Sequence, residues 1–402
     1  MAGGIVIVGA GLAGHSAATA LRAAGYQGAL TLIGRENRPA YDRPPLSKAA
    51  IMAEAEPQPS WLAQSSPVEA DHRQGVSAVG IDRSAKTVEL SDRSRLPYGK
   101  LLLALGARPR PLTVPGGERA LLLRNFEDAV ALRASFQPGR RVVIIGGGFI
   151  GLELAASAVK RGCRVTVIEA QPRLLMRGVP EAIARIIHDR HLAAGVEIRT
   201  GVGIAALDTD SVQLADGNTL SCDVVVAGIG AAPETALAEA AGLAVANGIT
   251  VDATLRTGDP DIFAAGDCCA FPHPRFGDQP IRLEAWRNAQ DQGAFVARAM
   301  LGADAAYAAI PSFWSDQYDL SMQIAGLPGL GATAVMRQPA EGAMLLFHLA
   351  GDGRLVGASG IGPGNAVARD IKLAEMLIAR GNHPDPQALA SPSVSLKALL
   401  KG

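Results

Sequence analysis

The 402-residue sequence is poor in the residues that announce a metal or dithiol centre. Its four cysteines, Cys163, Cys222, Cys268 and Cys269, show no C-x-x-C or C-x-x-x-x-C spacing. That excludes a metal knuckle and a redox-active dithiol loop and leaves buried free thiols as the expectation. An excess of charge is missing too: 38 basic and 38 acidic residues cancel, which argues against a nucleic-acid-binding surface spread over the protein. No apolar run is long enough to span a bilayer, and the N-terminal one is broken by glycines, so it reads as a strand and not as a signal peptide. A cytoplasmic protein is expected, with no membrane and no nucleic acid among its partners. What is present is apolar material: 48% of residues are hydrophobic and 19% charged, enough for the cores of two or three domains.

The chain is organised around residues 141–169, RVVIIGGGFIGLELAASAVKRGCRVTVIE. The run 142–145 suits a buried parallel strand, and Gly146, Gly148 and Gly151 fill the G-x-G-x-x-G pattern that opens a helix. The first glycine permits a tight turn, the second lets backbone approach a pyrophosphate, and the third lets helix pack on strand. A second strand, 165–168, ends in Glu169, eighteen residues after Gly151. A carboxylate there bonds the ribose hydroxyls of NAD and repels the extra phosphate of NADP. A lone glycine pattern signifies no more than a turn; strand, glycines, helix, strand and acid in order predict a dinucleotide site.

The N-terminus repeats the device. Residues 5–8 form a strand, Gly9, Gly11 and Gly14 the fingerprint, and a helix runs to about Ala24. The next strand, 29–33, is followed by Gly34, Arg35 and Glu36, so Glu36 is the ribose candidate, one position late. Two prolines then stiffen YDRPPLSK at 41–48, which carries Arg43 and Lys48 and on spacing alone also suits a solvated basic loop.

Both units continue alike. Residues 75–110 and 201–234 each show alternating strands, an Asp turn, a buried apolar strand and a Gly-Ala-x-Pro exit. One nucleotide-binding fold therefore occurs twice, each copy a parallel sheet with a small antiparallel insertion, and Gly106 and Gly230 should border the two ligand sites. Asp267 follows an apolar strand and a glycine, where a helix-capping acid is the ordinary alternative. From 311 onward the composition predicts a third domain of mixed sheet and helix, with a helix near 369–380.

The first fingerprint, YDRPPLSK, GGGFIGLELAA, IFAAGDC, RLEAWRNAQDQG and FWSDQY together resemble the FAD-dependent, NADH-using ferredoxin reductases of bacterial oxygenase systems. The likeness spans nearly the whole chain. It implies an α/β architecture of two Rossmann-like domains, FAD-binding at 1–109 and 233–309 and NAD-binding at 110–232, plus a C-terminal α+β domain at 310–402. It implies that Gly9, Gly11, Leu12, Ala13 and Gly14 hold the FAD pyrophosphate, with Arg43 and Lys48 on the flavin nucleotide and Lys48 beside the isoalloxazine. Val76 and Arg124 would touch the adenosine and pyrophosphate end, Asp267 the ribitol, and Trp286 the ring through its backbone. Arg35, Glu36, Ala104, Gly106 and Glu284 are further implied FAD contacts. Trp314 resembles the aromatic near the flavin, and Phe149 the ring covering the nicotinamide pocket. Gly146, Gly148, Ile150, Gly151, Glu153, Glu169 and Gly230 complete the NAD side. Two positions depart from the pattern: Leu105 stands where the family usually has Thr, and Arg35 where it usually has an acid.

Hydride transfer between nicotinamide and flavin needs little side-chain acid–base chemistry, so the protein supplies stacking, orientation and field. Lys48, Glu153 and Trp314 are the residues assigned to that work. Glu153 pairs with Lys48 and bonds the nicotinamide carboxamide on this reading; without the resemblance it would read as a helix N-terminal acid. No dithiol, cluster or haem motif offers an internal acceptor, so the implied partner is a [2Fe-2S] ferredoxin serving a P450 or Rieske oxygenase. A rubredoxin reductase and an NADH oxidase or quinone reductase are the alternatives, and an apoptosis-inducing-factor-like binding module is one of another class. Residues 1–110 carry thirteen Lys and Arg against nine Asp and Glu, and Arg93, Arg95, Arg108 and Arg110 are candidates for a basic docking rim.

Overall fold

The computed structural model describes residues 3–62 and 68–401. The chain divides into two compact units, one of Met1–Asp42, Ser60–Arg108 and Ala232–Pro311, the other of Arg43–Pro59, Pro109–Ala231 and Ser312–Gly402.

The first unit is built on a five-stranded parallel sheet, ordered Ile262–Ala264, Lys100–Leu103, Ile5–Val8, Leu30–Gly34, Asp71–Gln74. The central strand is flanked on both sides and wholly buried, which is why it reads as an unbroken apolar run and not as an alternation. Helices Leu12–Ala23 and Trp286–Met300 pack together beside it. Their approach is close enough that a Cβ on Gly293 would lie 2.3 Å from the Ala13 carbonyl oxygen.

The second unit repeats the arrangement. Arg141–Ile145 lies between Arg164–Glu169 and Val224–Ala227, all parallel, and Glu197–Thr200 extends the sheet beyond Arg164–Glu169. The duplicated insertions also match. Ala78–Asp82, Thr87–Leu90 and Arg95–Pro97 form one antiparallel three-stranded sheet, and Ile204–Leu207, Ser211–Leu214 and Thr219–Ser221 form the other. Each carries a register irregularity near the start of its first strand, between Ala78 and Gly80 and between Ile204 and Ala206.

The same unit contains a five-stranded antiparallel sheet, Ser312–Gln317, Leu320–Gly326, Leu355–Pro363, Met344–Leu349 and Thr333–Arg337 in that order. Helix Ala368–Arg380 covers strands Leu320–Gly326 and Leu355–Pro363 through Ile371, Ala374, Leu377 and Ile378, a helical-period stripe. This is the mixed domain expected from 311 onward, and the helix begins one residue earlier than read. Among the described residues no helix is long and apolar enough to cross a membrane.

Within the first unit many of the cations counted in the N-terminal segment face acids. Arg83 pairs with Asp259, Lys86 and Lys100 with Asp261, Arg108 with Glu234, Arg73 with Asp71, and Arg95 lies 3.7 Å from Glu89. Four of these six cations meet acids distant in sequence, Asp259, Asp261 and Glu234, which offset much of the local excess of positive charge.

Candidate functional site

Both glycine turns have a shape suited to an anion. Gly9 and Gly146 have φ of +115° and +109°, and a Cβ on either would strike the backbone of the neighbouring strand exit, Ala104 O at 2.1 Å or Gly228 O at 2.4 Å. Gly14 and Gly151 are equally constrained, each Cβ position lying 1.9 or 2.1 Å from the preceding turn's carbonyl oxygen. The middle glycines differ. A Cβ on Gly11 would meet nothing within 4 Å, and one on Gly148 only Gly228 O at 3.9 Å. Helices Leu12–Ala23 and Phe149–Lys160 begin there without a side-chain cap and without an acid in the first turn. Unpaired first-turn N–H groups beside open space fit a pyrophosphate in each unit.

On the first unit, Glu36 accepts from the Tyr41 hydroxyl, and Arg35 lies 3.9 Å from Glu234. The Val76 N–H donates to Gly34 O and the Ala104 N–H to Val8 O, which fixes both strand ends beside the turn. Asp267 follows Gly266 (φ +83°), whose N–H donates to Gln292 Oε1 at 2.7 Å. Arg282 ties this loop together, donating to Asp267 O at 3.1 Å and Glu284 Oε1 at 2.6 Å. Trp286 opens its helix with its indole N–H donating to Asp42 at 2.7 Å, and Gly106 (φ +73°) accepts from the Glu234 N–H. Gln292 was not singled out from sequence; its Nε2 is buried without a partner among the described residues.

On the second unit, both oxygens of Glu169 are engaged, Oε2 by the Gly147 N–H at 2.7 Å and Oε1 by the Gln171 N–H at 2.8 Å. The acid therefore braces the glycine turn besides ending its strand. Arg43 donates to Arg124 O at 2.5 Å, and Gly230 (φ +104°) accepts from the Arg110 N–H. Phe149 stacks at 4.3 Å on Phe313, next to Trp314 in the strand, while Ile150 is 46% exposed.

A dense polar cluster surrounds Glu153. Its carboxylate is 6% exposed on helix Phe149–Lys160 and accepts from Lys48 Nζ at 2.7 Å, Ser47 Oγ at 2.5 Å and Ser315 Oγ at 2.6 Å. It is not a solvated helix-end acid. The helix presents Glu153, Ser157 and Arg161 at four-residue spacing to the proline-stiffened turn Pro44–Ser47 and the short helix after it. Ser157 donates to Ser47 O at 2.7 Å and Arg161 to Ile51 O at 3.1 Å, so one helical stripe fixes the segment that delivers Lys48. Strand Ser312–Gln317 alternates, burying Ser315 and Gln317 and exposing Asp316. Ser47 and Ser315 adjoin assigned residues in the motifs, and their hydroxyls were the available signal.

The four cysteines are unpaired and buried; burial pushes the Cys268 thiol up to about 11 and raises Cys163, Cys222 and Cys269. Such thiols are poor nucleophiles at neutral pH. No metal-holding group of His, Cys, Asp and Glu occurs among the described residues.

The pyridine nucleotide-disulphide oxidoreductase family model matches residues 3–293 and the reductase C-terminal model residues 312–400. The anthranilate 1,2-dioxygenase system ferredoxin–NAD(+) reductase component of Burkholderia cepacia is 44% identical, covering 98% of each chain. The ferredoxin reductase for the CYP199A2 system from Rhodopseudomonas palustris superposes with a TM-score of 0.90 at 37% identity, over 98% of each chain. The covalent putidaredoxin reductase–putidaredoxin complex gives 0.91 at 33% identity, over 100% of this chain and 98% of that one. This chain belongs to the pyridine nucleotide-disulphide oxidoreductase family and ends in a reductase C-terminal domain. It is a flavoprotein oxidoreductase whose cofactors are FAD and NAD(H).

Proposed function

We infer that this protein takes electrons from NADH and delivers them, through FAD, to a [2Fe-2S] ferredoxin that serves a P450 or Rieske oxygenase. The observation that carries the reading is the convergence of Lys48, Ser47 and Ser315 on Glu153, joining the YDRPPLSK and FWSDQ motifs to the NAD helix. Relatives matching over nearly the full length are named as ferredoxin reductases, and one neighbour is a reductase joined to its redoxin.

The division of labour proposed is FAD binding by 1–109 and 233–309, NAD binding by 110–232, and a C-terminal domain at 310–402. FAD, when bound, accepts electrons as a pair and releases them singly. The chain's own tasks are binding and orientation. The Gly9–Gly14 and Gly146–Gly151 turns offer first-turn N–H groups to the two pyrophosphates, Glu36 and Glu169 stand at the ribose positions, and Asp267 and the Trp286 backbone hold the flavin's ribityl and ring portions. Lys48 contributes positive charge at the reacting centre, Glu153 accepts from the nicotinamide carboxamide, Phe149 screens the nicotinamide pocket, and Trp314 packs near the flavin. A cytoplasmic location suits an enzyme that draws its electrons from NADH.

The test is coupled reduction. Purified protein with NADH should reduce cytochrome c only when a [2Fe-2S] ferredoxin is added. Equal rates without ferredoxin, with oxygen or a quinone consuming the electrons, would overturn the reading in favour of an oxidase.

A further inference from the structure

The carboxylate that ends on Lys48 is also the end of a longer chain of hydrogen bonds within the second unit. Ser315 Oγ bonds Glu153 Oε1 at 2.6 Å, Gln317 Nε2 lies 3.2 Å from Ser315 Oγ, and His191 Nε2 lies 2.8 Å from Gln317 Oε1. Tyr318 Oη completes it, 3.1 Å from His191 Nδ1. His191, Ser315 and Gln317 are all at most 4% exposed.

The direction of every bond follows from its far end. A carboxylate paired with Lys48 only accepts, so the Ser315 hydroxyl spends its proton on Glu153 and must itself accept from an N–H of Gln317. The Gln317 amide then turns its oxygen to His191, whose Nε2 must carry the hydrogen, leaving Nδ1 to accept from Tyr318. Burial lowers the proton affinity of His191, with Arg190 and His188 acting in the same sense and Gln317 opposing, and burial pushes the Tyr318 hydroxyl up to about 12. Arg190 stacks 4.4 Å over the Tyr318 ring and pairs with Asp319, and Lys160 sits 6.0 Å from the same ring. The links therefore keep one sense across the neutral range. Glu153 Oε2 receives Lys48 and Ser47, whereas Oε1 receives Ser315 and retains a lone pair.

We propose that Ser315, Gln317 and His191 are positioning residues that fix the rotation of the Glu153 carboxylate, so that the remaining lone pair of Oε1 is presented to the nicotinamide carboxamide. The proposal rests on the reading of Glu153 as the carboxamide acceptor. The amide link cannot pass a proton along easily, so the chain orients and polarises; it is not a proton wire.

Two measurements test it. Long-range 1H–15N correlation on histidine-labelled, FAD-loaded protein reads the His191 tautomer directly, with His191→Gln identifying the resonance. An Nε2–H tautomer unchanged from pH 6 to 9 is expected, and Tyr318→Phe should release it into a mixture. An Nδ1–H tautomer, or titration of His191 near 6.5, overturns the assignment. In stopped-flow reduction, Gln317→Leu and His191→Phe should weaken NADH binding about 3- to 10-fold at unchanged FAD content. His191→Gln, which keeps an N–H for Gln317 and an oxygen for Tyr318, should restore most of it. If Glu153→Gln leaves NADH binding unaltered, the carboxamide reading and the proposal fall together. If Glu153→Gln is impaired while Gln317→Leu and His191→Phe match wild type, the positioning chain alone is wrong. Should the core variants not fold, the tautomer in wild type and Tyr318→Phe decides.

Discussion

Lys48 Nζ stands 2.7 Å from Glu153 Oε2, joining residues more than a hundred positions apart, and the carboxylate of the pair is almost wholly removed from solvent. Removing one partner of such a pair strands the other. Glu153→Ala should therefore weaken productive NADH binding by about 1.5 to 3 kcal/mol, roughly 10- to 150-fold, with FAD content unchanged. Reductive half-reaction kinetics equal to wild type would return Glu153 to a purely structural role.

The glycine turns make separable predictions. Gly14→Ala forces a Cβ to within 1.9 Å of Gly9 O and should lower the melting temperature and the yield of folded protein. Gly11→Ala meets no chain atom within 4 Å, so the fold should survive while FAD content falls. A Gly11→Ala protein with full FAD occupancy would show that the pyrophosphate lies elsewhere.

Nucleotide preference should follow Glu169. The wild type should bleach with NADH far faster than with NADPH, and Glu169→Ala should narrow the ratio while slowing NADH itself, because the same carboxylate holds the Gly147 and Gln171 N–H groups. Stopped-flow traces showing no preference in wild type would contradict the ribose assignment.

Acid stability should report His348. Its buried imidazole, 3.3 Å from Ser359 Oγ, has its pKa lowered from 6.5 to about 4 by burial. Between those values the unfolded chain binds the proton and the folded chain does not, so the stability is present above pH 6.5 and is lost as pH falls toward 4. Urea denaturation should lose about 2 kcal/mol from this group between pH 7 and 5, and His348→Gln should show a correspondingly flatter pH dependence. Equal slopes would rule the group out.

Legibility in the sequence followed locality. The strand 5–8, the glycine turns and the helices they open depend on neighbouring residues, and the structure has Ile5–Val8 as read and extends 142–145 by Arg141 alone. The doubled antiparallel insertions were legible because they repeat. The Glu153 cluster was legible only in part: Lys48 and Glu153 were paired through resemblance, whereas Ser47 and Ser315 reach the carboxylate through tertiary packing. His191 lay outside any motif, its 0% exposure being set by an otherwise apolar face of helix Glu181–Ala193. The excess of cations in residues 1–110 misrepresents the surface for the same reason, since Asp259, Asp261 and Glu234 lie far along the chain.

The central claim is that NADH electrons leave one at a time for an iron–sulfur protein. Anaerobic titration of protein and excess oxidised [2Fe-2S] ferredoxin with limiting NADH, followed by the ferredoxin visible spectrum, tests it most directly. The account predicts two ferredoxins reduced per NADH, at a rate that depends on ferredoxin concentration. Flavin bleaching with the ferredoxin left oxidised, and reoxidation only by oxygen, a quinone or rubredoxin, would contradict it.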